Sequence, residues 1–231
     1  MKQLSGKWAF VTGSSRGIGK QIAMGLADHG CNVIVHGRDM ENTESTVAAV
    51  RKLGVEVRAV AGELSWDESV QEVIRDVLAL SVPVDILYNN AAIQNTFEEI
   101  WSIGIEEWKL SFQVNLYAPV AFCTAFAPRM KERGFGRIVN LTSGIKDVPQ
   151  LAPYSASKAA IDKYSRDLAA DLSGTNVLVN YLDPGWLKTD MGGPNAMFGV
   201  EDVLPGALAP ALLADNGPTG QFFSAQAARG R

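Results

Sequence analysis

Apolar runs of strand length alternate with longer stretches of helical period along almost the whole chain, and this order of elements constrains the fold more than any single residue does. Trp8 to Val11 reads as strand, Ile18 to His29 as helix, Asn32 to Val35 as strand and Glu41 to Leu53 as helix. The alternation continues through Val55 to Val60 (strand), Asp67 to Ala79 (helix), Val84 to Tyr88 (strand), Ile105 to Arg133 (a long helix), Arg137 to Leu141 (strand), Tyr154 to Leu172 (helix) and Val177 to Tyr181 (strand). A strand reached through a crossover helix runs parallel to its predecessor, and such a sheet needs helices on both faces. The expectation is an α/β, doubly wound, three-layer sandwich forming a single domain over 1–231, with ligands at the carboxyl ends of the strands. A last short strand, Gln221 to Ser224, brings the mostly parallel sheet to about seven strands. Val200 to Leu213 reads as helix-like, and Ala227 to Arg231 carry no periodic signal and are expected to fray.

With 231 residues, 47% of them hydrophobic, and a net charge of −4, the chain has material for one large core. No basic run is present, so nucleic acid is not an expected partner. Met1 to Leu4 lead directly into the first strand, leaving no room for a signal peptide, and no apolar run is read as membrane-spanning. A soluble, cytoplasmic protein without membrane association is expected. Cys31 and Cys123 stand outside any metal-ligand spacing, and His29 and His36 are the only histidines. No metal is expected, and a serine–histidine–acid triad is disfavoured.

Thr12-Gly13-Ser14-Ser15-Arg16-Gly17-Ile18-Gly19 follows the first strand and opens the first helix, the setting a phosphate-binding turn requires. Gly13 permits the tight turn, while Gly17 and Gly19 let backbone amides approach a pyrophosphate at the positive helix end. A triphosphate-binding loop is excluded, since Gly19-Lys20 is followed by Gln21 where a magnesium-binding Ser or Thr belongs. The end of the second strand selects the dinucleotide: Val35-His36-Gly37-Arg38 offers no acid for a ribose 2′-hydroxyl, whereas Arg38 and Arg16 could flank a 2′-phosphate. NADP(H) is therefore favoured over NAD(H), with Asp39 as the residue that argues the other way.

Tyr154 and Lys158, four residues apart, place a phenol and an ammonium on one helix face. A cation beside a phenol favours the phenolate, and the pair could exchange a proton with an alcohol or carbonyl oxygen; two side chains exposed by chance is the alternative. Other residues lie in order around the pair: Asn89-Asn90-Ala91-Ala92 after the fourth strand, Asn115 in the long helix, Thr142-Ser143-Gly144 after the fifth strand and Pro184-Gly185 after the sixth.

From about Lys7 to Phe223 this ordered set, with its TGxxxGIG loop and YxxxK pair, resembles the short-chain dehydrogenase/reductase (SDR) family. The resemblance implies a Rossmann-type fold, a nicotinamide cofactor, and a catalytic set of Asn115, Ser143, Tyr154 and Lys158. Tyr154 would exchange the proton with the substrate oxygen, Ser143 would hydrogen-bond that oxygen, and Asn115 would hold a water relaying protons to Lys158. By the same resemblance Lys158 holds the nicotinamide ribose, and the glycine loop (Gly13, Ser15, Arg16, Gly17, Ile18, Gly19), Arg38, Glu63, Leu64, Asn90, Ala91, Pro184, Gly185, Leu187 and Thr189 contact the cofactor. Glu63 stands where the family usually has Asp, and Ala92 where Gly is commoner.

The segment after Thr189 carries specificity in the family and is short here, which implies an open pocket. Candidate walls are Ile93, Gln94, Ile145, Leu151, Trp186 and Phe198. The resulting expectation is an NADP(H)-dependent oxidoreductase interconverting a carbonyl compound and an alcohol. Two alternatives stand beside it: a 3-oxoacyl-(acyl-carrier-protein) reductase, and a catalytically silent NADP-sensing regulator. A homodimer or homotetramer through the long helices is implied by the resemblance.

Overall fold

Seven strands form one sheet in the order β3-β2-β1-β4-β5-β6-β7, and every pairing is parallel. The computed structural model describes residues 3–230. The strands are β1 (Trp8–Val11), β2 (Asn32–Gly37), β3 (Val57–Ala61), β4 (Ile86–Asn89), β5 (Gly136–Leu141), β6 (Val177–Asp183) and β7 (Phe222–Ser224). The helices between them are α1 (Gly17–Asp28), α2 (Met40–Arg51), α3 (Asp67–Ala79), α4 (Ile105–Phe112), α5 (Ala118–Arg133) and α6 (Ala152–Asp171). The doubly wound α/β fold is thus the one expected. Its strand order reverses between β1 and β4, which opens a crevice above their carboxyl ends.

Two apolar layers hold the sheet. On one face Phe10, Leu87 and Ile138 meet Phe122, Phe126 and Met130 of α5, with Phe10 edge-on to both phenylalanine rings at 5.5 and 5.9 Å. On the other, Val11, Tyr88 and Val139 pack with Ile22 and Leu26 of α1 and with Val203, Leu208 and Ala211. Both cysteines are free and buried.

Four expectations change. The long helix is interrupted by a π turn, Gln113–Tyr117, between α4 and α5. Helical content over 200–213 is limited to the 3₁₀ turns Val200–Val203 and Gly206–Leu208, because Pro205 and Pro210 withhold amide donors and Gly206 packs against the Ala225 backbone. The tail folds into a 3₁₀ turn, Ala225–Gly230, while Arg231 lies outside the described residues. Among the described residues one helical run, Ile105–Arg133, does have the length and mean hydropathy (1.3) to cross a bilayer, contrary to the sequence reading. Half of that window is buried inside the protein, where Phe122, Cys123, Phe126 and Met130 pack on the sheet.

Candidate active site

The crevice is lined by the turn joining β1 to α1. Gly13 and Gly17 adopt left-handed φ of +62° and +56°, which an L side chain resists. A Cβ at Gly19 would strike the Gly13 carbonyl and sit 2.5 Å from Asn90 Nδ2 and 2.8 Å from Ser14 Cα. Side chains from the strand ends fix this turn. Thr12 Oγ1 accepts the backbone N–H groups of Asn90 and Ala91, both at 3.0 Å, while Asn90 Nδ2 donates to the carbonyls of Thr12 and Gly13 at 2.8 and 3.2 Å. Ser14 Oγ donates to Val11 O at 2.7 Å and accepts the His36 N–H at 3.0 Å.

His36, at the end of β2 and 2% exposed, joins two loops. Its Nδ1 accepts the Gly13 N–H at 3.0 Å and its Nε2 lies 3.1 Å from Gly62 O. An acceptor at Nδ1 requires the proton on Nε2, the tautomer that donates to Gly62. Burial pushes the imidazole down to about 4, keeping it neutral.

A cavity of about 600 Å³ runs from Arg38 and Glu63 at one end to Tyr154 and Lys158 at the other. Of the residues expected to hold the cofactor, Gly185 and Leu187 alone are not on its wall; they line an adjoining cavity of about 610 Å³. Arg38 is exposed and faces the groove; Arg16 forms an exposed ion pair with Asp190 at 3.1 Å. Asp39 is occupied elsewhere. It caps α2, accepting the Asn42 N–H at 3.1 Å and Asn42 Nδ2 at 2.6 Å. Glu63 Oε1 accepts the Leu64 N–H at 2.8 Å.

Tyr154 lies on the wall of both cavities. Tyr154 and Lys158 project from α6 and are 9% and 4% exposed. Lys158 Nζ donates to Leu141 O at 2.8 Å and sits 5.7 Å from the Tyr154 ring centroid. Burial pushes Lys158 down to about 8, against the pull of Asp162. Burial also raises Tyr154, a hydrogen bond with Ser143 lowers it, and the Asp183 carboxylate raises it again. The depressed phenol expected from the lysine is not found: desolvation dominates, and the only group that lowers Tyr154 is Ser143. Ser143 lines the second cavity and accepts the Ile145 N–H at 3.2 Å.

Asn115 lies in the π turn and reaches neither cavity wall. Its Oδ1 accepts the Ile93 N–H at 2.9 Å, and its Nδ2 donates to Ile93 O at 2.9 Å and Ser157 Oγ at 3.0 Å. Ser157 in turn donates to Tyr154 O at 2.7 Å, so Asn115 braces the helix that presents the tyrosine. Of the candidate substrate walls, Gln94, Ile145, Leu151 and Trp186 line the second cavity, Ile93 faces the first, and Phe198 packs with the core. Thr12, Ser14, His36, Asn42 and Asp183 were not singled out by the sequence. Their only signal is a polar residue at a strand end or a helix start, where such residues are common.

This order of loops is matched in known proteins. The family model for short chain dehydrogenases covers residues 7–197. The chain belongs to the short-chain dehydrogenase family. A rat (Rattus norvegicus) member, dehydrogenase/reductase SDR family member 4, is 34% identical over 188 residues, spanning 80% of this chain and 67% of that protein. An uncharacterized oxidoreductase of Thermotoga maritima is also 34% identical over 188 residues, 80% of this chain and 73% of its own. Among solved structures, an NADP-bound 3-oxoacyl (acyl-carrier-protein) reductase from Agrobacterium tumefaciens C58 superposes with a TM-score of 0.84 at 31% identity, over 96% of this chain and 93% of that one. An NAD⁺-bound xylitol dehydrogenase gives 0.85 at 26%, over 96% and 98%. Short-chain dehydrogenases use NAD(P), and the groove fits such a dinucleotide: a glycine cradle that a Cβ would fill, a helix N-terminus above it, and cations at the far end.

Proposed function

We propose that this short-chain dehydrogenase interconverts a carbonyl compound and an alcohol with NADP(H), and that Tyr154 carries the proton. The observation that bears most weight is that Tyr154 lines both cavities, with Ser143 on the wall of the second and Lys158 on the wall of the first. Gly13, Gly17 and Gly19 would hold the pyrophosphate, Arg38 and Arg16 the 2′-phosphate, and Lys158 the ribose beside the nicotinamide. The preference for NADP(H) rests on the two arginines and on Asp39 being spent as a helix cap. When bound, the nicotinamide supplies or takes the hydride.

The chain's own groups divide the remaining work. Buried Tyr154 stays protonated at neutral pH, which suits it to donate to a carbonyl oxygen as that oxygen gains charge. Ser143 donates a second hydrogen bond to the same oxygen and orients it. Lys158, with a pKa of about 8, is cationic at pH 7 and stabilises the phenolate left after transfer.

The test is NADPH consumption against a panel of aldehydes and ketones, with Tyr154→Phe as control. The variant is expected to lose about 10²- to 10⁴-fold in kcat while binding NADPH within about threefold of the parent. A variant keeping a tenth of the parent rate would remove Tyr154 from the chemistry.

A further inference from the structure

The sixth strand ends in a carboxylate that the proton-transfer chemistry above leaves unused. Asp183 is the last residue of β6, and its side chain faces the 610 Å³ cavity together with Ser143 and Tyr154. One oxygen is anchored, since Oδ1 accepts the Gly185 N–H at 2.9 Å. The other, Oδ2, points at Gly144 and would lie 2.7 Å from a Cβ there, and no donor among the described residues reaches it. Gly144, the residue after Ser143, therefore leaves open the space beside this oxygen. The carboxylate is also close enough to Tyr154 to disfavour the phenolate. The rest of the cavity is mostly apolar, with Phe97, Ile145, Val148, Leu151, Trp186 and Met191 on its walls. A carboxylate held in place with one oxygen free of protein donors, on a mostly apolar wall beside the reacting group, is positioned to accept a hydrogen bond from a bound ligand.

We propose that Asp183 is a substrate-specificity residue, and that the substrate is a carbonyl compound or alcohol with an apolar body and a hydrogen-bond donor, a hydroxyl or ammonium, close to the reacting carbon. This rests on the reductase reading above. A substrate that covers this half-buried carboxylate strips water from it, so an analogue lacking the donor leaves the acceptor unpaired and is discriminated against.

The experiment compares acetophenone, 2-hydroxyacetophenone and 2-aminoacetophenone as NADPH-dependent substrates of the purified full chain and of three variants. The parent is expected to favour at least one donor-bearing ketone by tenfold or more in kcat/KM. Asp183→Ala should collapse that preference toward the ratio set by intrinsic reactivity, which cancels in the comparison of parent with variant. Gly144→Ala, which puts a methyl against Oδ2, should do the same without touching the carboxylate itself. Asp183→Asn keeps an acceptor for the Gly185 amide but loses the charge. It should retain the preference if the natural donor is a hydroxyl and lose it if the donor is an ammonium, and either result supports the assignment. A parent that reduces the ketones without donor preference, or a preference unchanged in Asp183→Ala, overturns this inference alone. Failure of the parent to reduce any carbonyl compound of the wider panel overturns the reductase reading and this one with it.

Discussion

Lowering the pH from 7 to 5 is expected to cost the fold about 2 kcal/mol at one side chain, His36, and the size follows from its two hydrogen bonds and its burial. In the folded protein the imidazole titrates at about 4, below its ordinary 6.5, through loss of water, partly offset by the Gly62 carbonyl and the Glu63 carboxylate. A native value below the unfolded one means that the unfolded chain takes up the proton first, so acid favours unfolding. The contribution is intact above pH 6.5, falls as pH drops, and is lost in full below about pH 4, where it reaches about 3 kcal/mol. Protonation also turns Nδ1 from acceptor to donor, opposing the Gly13 N–H that it now receives.

Urea titrations at pH 7, 6 and 5, at fixed protein concentration, measure the effect when repeated on His36→Gln, whose amide offers a donor and an acceptor but does not titrate. The variant should be about 1–2 kcal/mol less stable at pH 7 through imperfect hydrogen bonds, yet lose about 2 kcal/mol less than the parent between pH 7 and 5. Carboxylate contributions are common to both proteins and cancel. Parallel pH dependence in parent and variant would show that His36 does not carry the acid sensitivity and would refute the reasoning.

Gly19→Ala places a methyl against the Gly13 carbonyl, Asn90 Nδ2 and Ser14 Cα, so the dissociation constant for NADPH is expected to rise more than tenfold; fluorescence titration checks it, and an unchanged constant would count against the cradle. Arg38→Ala should raise the KM for NADPH about tenfold or more and leave that for NADH within about threefold, a contrast that steady-state kinetics with both cofactors reads directly. Arg137 is 1% exposed and donates to the carbonyls of Gly136, Asn176 and Leu213 and to Asp215; Arg137→Ala is expected to cost about 3–5 kcal/mol in urea unfolding, and a cost under about 1 kcal/mol would contradict that account.

Much of the fold is legible in the sequence because parallel sheets bury both faces and write their strands as short apolar runs. Phe10, Ile34, Leu87 and Ile138 all lie in such runs, and the sheet buries all four. The glycine turn is legible for a related reason: Gly13 and Gly17 sit at dihedrals, and Gly19 in a space, that few other residues tolerate. Legibility fails where partners come from distant loops. His36 is an unremarkable strand residue until Gly13, 23 positions before it, and Gly62, 26 after it, are brought to its two nitrogens. Asp183 reads as a turn acid capping Gly185, and its second oxygen acquires meaning only beside Gly144. The stretch from Val200 to Leu213 misleads in the opposite direction, since its apolar spacing is helical while its prolines forbid continuous helix.

The π turn at Gln113–Tyr117 acts as a spacer of one residue. A turn closed from i to i+5 holds one residue more than the α-helical turn it replaces. A chain lacking one residue between Phe112 and Ala118 would form the better helix by every local measure. That same deletion would close the wide turn in which Asn115 sits and unseat it from Ile93 and Ser157, while leaving Phe122, Phe126 and Met130 facing the sheet. The extra residue at this point of the helix therefore serves the brace on Tyr154, at no cost to the phase of the core-facing helix that follows.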